Sequence, residues 1–289
     1  MNYQAHQNRF KFHTVEGGQL AYIDQGTGPV ILLIHGIPTS SWLYRHIIPH
    51  LEERGYRVIA PDLLGFGGSD KPKGYEVYSE TRQGARIREL MDKLEIDQWI
   101  QVCHDGGGLW TWEMLKQNTA GVRGLVILNT IIFEAGFQPP LRFEKGLWAK
   151  FYTWLYKADL TCKMMINATL NNGLSKATSL TKEDKEGYWL PMQSGVNRAL
   201  YYFFTQTCQA LPDDYKELLP SLPLPSRVIW GLKDPMLKWM PQSEEIKELL
   251  KLTDQDTLLL EDAAHFIQED KPEEIAGFIA AFARGIDQE

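Results

Sequence analysis

The stretch Trp99-Ile100-Gln101-Val102-Cys103-His104-Asp105-Gly106-Gly107-Gly108 decides how the rest of the chain is read. An apolar strand breaks at a carboxylate, and three glycines follow at once. A strand that turns this sharply into a helix tolerates only small neighbours, so the pattern small-x-nucleophile-x-small makes Cys103 and Gly107 the flanks and puts Asp105 at the tip. A carboxylate held there restricts the chemistry. Attack on an ester carbonyl gives only an anhydride, whereas attack on a saturated carbon gives a stable ester. The expected substrate carries a leaving group on an sp3 carbon, and a water-activating base elsewhere in the chain must hydrolyse the resulting ester.

Outward from this elbow the sequence alternates strand and helix. Residues 10–15 and 19–24 read as an opening hairpin, and residues 30–34 are apolar on both faces, as a central parallel strand should be. That strand ends at His35-Gly36-Ile37-Pro38, where a glycine turn aims the Ile37 N–H into the crevice beyond the strand ends. With the N–H of Gly106 it forms a two-donor hole for developing negative charge. Helices are expected over residues 40–53, 79–94 and 107–117, with strands at 57–60 and 124–128.

The alternation stops at Ile131. Residues 131–220 crowd Trp, Tyr, Phe and Met into helical segments at 143–157, 161–170 and 196–209, read as an inserted helical cap on a core of residues 1–130 and 221–289. The sheet resumes at 227–231, a helix is expected at 242–252, a strand at 257–260 and a last helix from 272 to 283. The fold class is α/β, a mostly parallel sheet with helices on both faces.

Asp234 and His265, like Asp105, fall just beyond strand ends, in the order nucleophile, acid, base. His265 is read as the base that activates water and Asp234 as the carboxylate that orients it. Glu134 is a rival acid, and His104 faces the other way along its strand.

With 289 residues, a net charge of −7 and no dense basic run, the chain suits a small neutral organic substrate and water better than a nucleic acid. Three cysteines with no metal-ligand spacing fit a reducing cytoplasm, no run is long enough to span a membrane, and no membrane partner is expected. No metal or organic cofactor is expected, since a carboxylate and an activated water complete the cycle. A homodimer is allowed.

These motifs, with His35 to Arg45, Pro61 to Pro72, Lys233-Asp234 and Asp262 to Gln268, resemble the α/β-hydrolase superfamily, in its branch of haloalkane dehalogenases and epoxide hydrolases. The resemblance implies a hydrolase working through an aspartyl ester, haloalkane dehalogenase-like, with epoxide hydrolysis or a low-turnover ligand-binding homologue as alternatives. It also exposes two departures. Dehalogenases typically place Trp after the nucleophile and often Asn or Glu after His-Gly, the Trp and the Asn form holding the halide; here stand Gly106, which is expected to enlarge the pocket, and Ile37. A halide donor would have to come from the cap, as Trp148, Trp154 or Trp189. An epoxide would take its proton from cap tyrosines such as Tyr152, Tyr156, Tyr188, Tyr201 or Tyr202.

Overall fold

The computed structural model describes residues 1–137, 141–212 and 214–287. Its eight strands are β1 (Lys11–Val15), β2 (Gly18–Gln25), β3 (Val30–Ile34), β4 (Arg57–Pro61), β5 (Trp99–Asp105), β6 (Val122–Thr130), β7 (Ser226–Gly231) and β8 (Thr257–Leu260). They form one sheet in the order β1-β2-β4-β3-β5-β6-β7-β8. The opening hairpin is antiparallel and β2 pairs antiparallel with β4; every later pairing is parallel.

Burial follows directly from this topology. Leu32, Ile34 and Cys103 enter one apolar cluster and Ile31, Leu33 and Val102 the other, as the period of two along a strand requires. Every residue of β5 is buried, because parallel neighbours lie on both of its edges and helices cover both of its faces. The helices Glu80–Lys93 and Gly106–Gln117 pack at close range: a Cβ on Gly84 would lie 2.7 Å from the Met114 nitrogen.

Between β6 and β7 the described residues contain helices and no strand: Leu147–Trp154, Asp159–Gly173, Lys182–Trp189, Asn197–Tyr202 and Tyr215–Ser221. This segment is bolted to the sheet side by a buried network. The Arg45 guanidinium donates to both carboxylate oxygens of Glu269 and, at 2.9 Å, to Asp184. Tyr188 donates to the same Glu269, and the Trp42 indole donates to the Asp184 carbonyl at 2.9 Å. Asp184 also closes a capping box with Thr181 at the start of its helix.

Several boundaries differ from expectation. The helix expected over 40–53 is split into a 3₁₀ turn, Ser41–Tyr44, and an α-helix, Ile47–Glu53. Pro49 has no N–H to donate and fits only a first helical turn, so the helix restarts just before it. The segment expected at 143–157 is helical only over Leu147–Trp154, and the one at 196–209 passes from Asn197–Tyr202 into a π-turn, Phe203–Thr207. Helices Lys182–Trp189 and Tyr215–Ser221 lie beyond the expected segments: the first is mostly charged, and in the second Tyr215, Leu218 and Leu219 keep a helical period while Pro220 and the prolines after it read as a linker.

Candidate active site

The elbow is built at the carboxyl end of β5. Asp105 has φ 50° and ψ −125°, a left-handed backbone that a side chain adopts only under external constraint. The constraint is close packing. A Cβ on Gly107 would lie 2.5 Å from the His35 carbonyl oxygen, and one on Gly108 would overlap the Thr130 methyl at 1.9 Å. Glycine therefore lets the helix start directly against β3 and β6, and the turn between strand and helix lifts the Asp105 side chain over the sheet edge.

The amides of Ile37 and Gly106 both donate to the Asp105 carboxylate, Ile37 at 2.6 Å to Oδ1. The other oxygen, Oδ2, is 3.8 Å from His265 Nε2, too far for a hydrogen bond. On its far side, His265 Nδ1 donates to Asp234 Oδ2 at 2.8 Å. The structure thus brings Asp105, His265 and Asp234 into one line, all three buried.

Electrostatics separate their roles. Burial pushes the Asp105 carboxyl above the usual carboxylate range, against the pull of His265 and the two amides, and a more basic carboxylate is the better nucleophile. Burial acts downward on His265, but the charge and hydrogen bond of Asp234, with Asp105, outweigh it and raise the imidazole. Asp234 feels the same burial penalty, yet His265, the Leu237 amide and Asn129 bring it below its ordinary value.

Two supports stand behind the line: Asn129 escapes sequence reading, and His104 is read there only as facing away from the nucleophile. Asn129, just past the end of the expected strand at 124–128 but itself buried within β6, donates Nδ2 to Asp234 Oδ2 at 2.7 Å, while its Oδ1 accepts from the Gly231 amide at 2.8 Å. It fixes the carboxylate from behind. His104 is fully buried and donates Nε2–H to the His265 carbonyl at 3.0 Å, holding the loop that carries the imidazole. Both partners lie more than a hundred residues away in the chain, so no local pattern announces them. The rival acid Glu134 is exposed, paired with Arg142 at 3.1 Å, and takes no part in the line.

Above Asp105 and His265 is a cavity of about 250 Å³ lined largely by Phe137, Leu200, Phe203, Phe204, Met236, Leu237 and Phe266. Its polar lining comes from Tyr156, Thr169 and Asn172. Of the cap aromatics singled out in the sequence, only Tyr156 lines this space. Trp148 and Trp154 stand in solvent, 79% and 50% exposed, and Trp189 lies under the Lys163 ammonium at 4.1 Å. Tyr201 packs on Tyr75, Tyr202 donates to Glu80 at 3.2 Å, and Tyr188 is committed to Glu269. Tyr152 sits behind Tyr156 and shares a hydrogen bond with it. Gly106 does not enlarge the pocket: a Cβ there would lie 2.9 Å from Ile37 Cδ1, so the Ile37 side chain occupies the space.

The family profile of the alpha/beta hydrolase fold matches residues 29–272. Among curated proteins, haloalkane dehalogenase 2 of Mycobacterium tuberculosis (strain ATCC 25618 / H37Rv) is 31% identical over 272 residues, covering 91% of this chain and 90% of the relative. Haloalkane dehalogenase of Sphingobium indicum (strain DSM 16412 / CCM 7286 / MTCC 6364 / B90A) is 27% identical, covering 95% of each. Among solved structures, an epoxide hydrolase from Vigna radiata superposes with a TM-score of 0.75 at 21% identity, covering 96% of this chain and 98% of that one, a likeness of fold.

Proposed function

The chain belongs to the α/β-hydrolase family, of the haloalkane dehalogenase and epoxide hydrolase type, and from that premise we propose that Asp105 is its nucleophile, His265 its base and Asp234 the acid that orients the base. Residues 1–130 and 221–289 act as the catalytic core, with 131–220 as the cap that closes an apolar pocket over it. The observation that carries this reading is the line Asp105, His265, Asp234, whose first two members line that pocket while Asp234 stands behind His265.

Asp105 Oδ2 attacks the sp3 carbon, whose bond to the leaving group breaks with its electron pair. Oδ1 stays on the Ile37 amide, and the Gly106 amide also donates to the carboxylate. In the second step His265 Nε2 takes a proton from water, which adds to Cγ of the ester; the oxyanion forms on Oδ1, where the Ile37 N–H already points, with the Gly106 N–H beside it as a second donor to the carboxylate. Collapse expels the alcohol, and the imidazolium, stabilised by Asp234, returns the proton.

The first reading of the leaving group is a halide, as the names of the curated relatives suggest. With Ile37 and Gly106 at the two positions that would otherwise donate to it, halide departure is slow. One observation favours an epoxide as the second reading: Tyr156 lines the pocket with Tyr152 hydrogen-bonded behind it, so a phenol can protonate an opening oxygen. A single turnover in oxygen-18 water tests the shared mechanism. The label should enter the Asp105 peptide and be missing from the first product; label in that product and none in Asp105 would mean that water attacks the substrate directly.

A further inference from the structure

The outer face of the cap is apolar where it meets water. On the helix Leu147–Trp154, Leu147, Trp148, Phe151 and Trp154 are 82%, 79%, 53% and 50% exposed, while Ala149 and Thr153 are buried on the opposite side. Phe151 lies between the two indoles, its ring centroid 6.3 Å from one and 6.2 Å from the other. The next helix, Asp159–Gly173, adds Leu160 and Met164 one turn apart, 71% and 63% exposed, and Thr161 ties that turn back by donating to the Leu155 carbonyl at 2.6 Å. Isolated apolar side chains on a surface need no explanation, but this many large ones within two helical segments do.

Charge says what covers them. Between residues 141 and 164 stand five cations, Arg142, Lys145, Lys150, Lys157 and Lys163, against two anions, Glu144 and Asp159, in a chain whose net charge is −7. Among the described residues Lys145, Lys150 and Lys157 enter no ion pair. A second copy of the chain is a poor fit, because a two-fold contact through this face would set these lysines against themselves. Indoles, Phe and Leu flanked by unpaired lysines match the boundary of a negatively charged bilayer, apolar beneath and anionic above.

We propose that this cap face docks on the surface of an anionic lipid bilayer. The sequence expectation of no membrane partner considered only spanning runs. No helix among the described residues is long and apolar enough to cross a membrane, and a helix lying in the interface needs no such length. The same two-helix segment supplies Tyr156, Thr169 and Asn172 to the pocket, so docking places the cavity beside a phase that dissolves neutral apolar substrates.

The test is co-sedimentation with vesicles of phosphatidylcholine containing about 30% phosphatidylglycerol, against vesicles of phosphatidylcholine alone. The full chain should bind the anionic vesicles and lose most of that binding in high salt. Lys150→Glu/Lys157→Glu should weaken binding at least about tenfold, at roughly fivefold per lysine, and Phe151→Ser/Leu160→Ser should do the same with an unchanged melting temperature. Asp105→Ala should bind as the wild type does, so docking is judged separately from the reaction. Failure of the wild type to bind anionic vesicles, or full binding by both double variants, overturns the proposal. So does a wild-type dimer that both double variants convert to monomer, which would make the face an interface between copies.

Discussion

The strand ends and the cap are both rich in chemistry-bearing residues, yet they convert sequence into geometry differently. At the strand ends the backbone leaves little choice: parallel pairing aligns β5, β6, β7 and β8, so residues at or just past the ends of those strands converge on one crevice. In the cap, direction is set by packing between helices. The helix Leu147–Trp154 carries aromatic side chains on both its inner and its outer side, so its periodicity cannot say whether Trp148 or Tyr152 faces inward. It is Tyr152 that packs inside and Trp148 that meets solvent. Backbone-determined sites are read from spacing; side-chain-determined ones are not.

If that contrast holds, damage at the strand ends should abolish turnover of every substrate, and damage in the cap should select among them. Asp105→Ala should lower kcat/KM by about 10⁴-fold or more for halide and epoxide substrates alike, in steady-state assays of each. Retention of either activity would break the comparison.

The link between the two regions comes next in size. Arg45→Met leaves Glu269 buried without its cation, and should destabilise the protein by about 3–5 kcal/mol in urea denaturation. The Asp184 contact is lost with it. An unchanged midpoint would show that the network does not hold cap to core.

Tyr156→Phe sharpens the comparison on the cap side. It removes the hydroxyl at the pocket wall, and should slow epoxide opening by about 10²-fold while leaving alkyl bromides within about twofold. Equal losses on both classes would give Tyr156 a packing role only.

The smallest expected effect is on the pH profile. On the proposed mechanism hydrolysis of the ester needs His265 neutral, and its imidazole is raised above the ordinary histidine value of about 6.5. The rate of that step should therefore fall as pH drops through this raised value, giving an acid limb on the neutral side of about 6.5. In Asp234→Asn the supporting charge is gone, and the limb of the residual rate should move to lower pH. A limb that stays put would argue against Asp234 as the partner that raises His265.

The sequence made the sheet, the elbow and the line of three side chains legible because each leaves a local trace: an apolar run, a glycine cluster, a residue just past a strand. Asn129 left none, since an Asn ending a strand reads as a simple turn former. The bolt of Arg45, Glu269, Asp184 and Tyr188 joins residues from opposite ends of the chain and was equally silent. Gly106 was misread as extra room because its consequence depends on where the Ile37 side chain lies, a fact of packing.

The central claim is that an aspartyl ester forms on Asp105 and that His265 is needed only to hydrolyse it. Intact-mass measurement of His265→Gln after incubation with a small dibromoalkane and, separately, an aryl epoxide tests it most directly. The account predicts an accumulating adduct mapped to Asp105, the alkyl group less one bromine in the first case or the whole epoxide in the second. Product release by His265→Gln at the wild-type rate, or an adduct on any other residue, would contradict it.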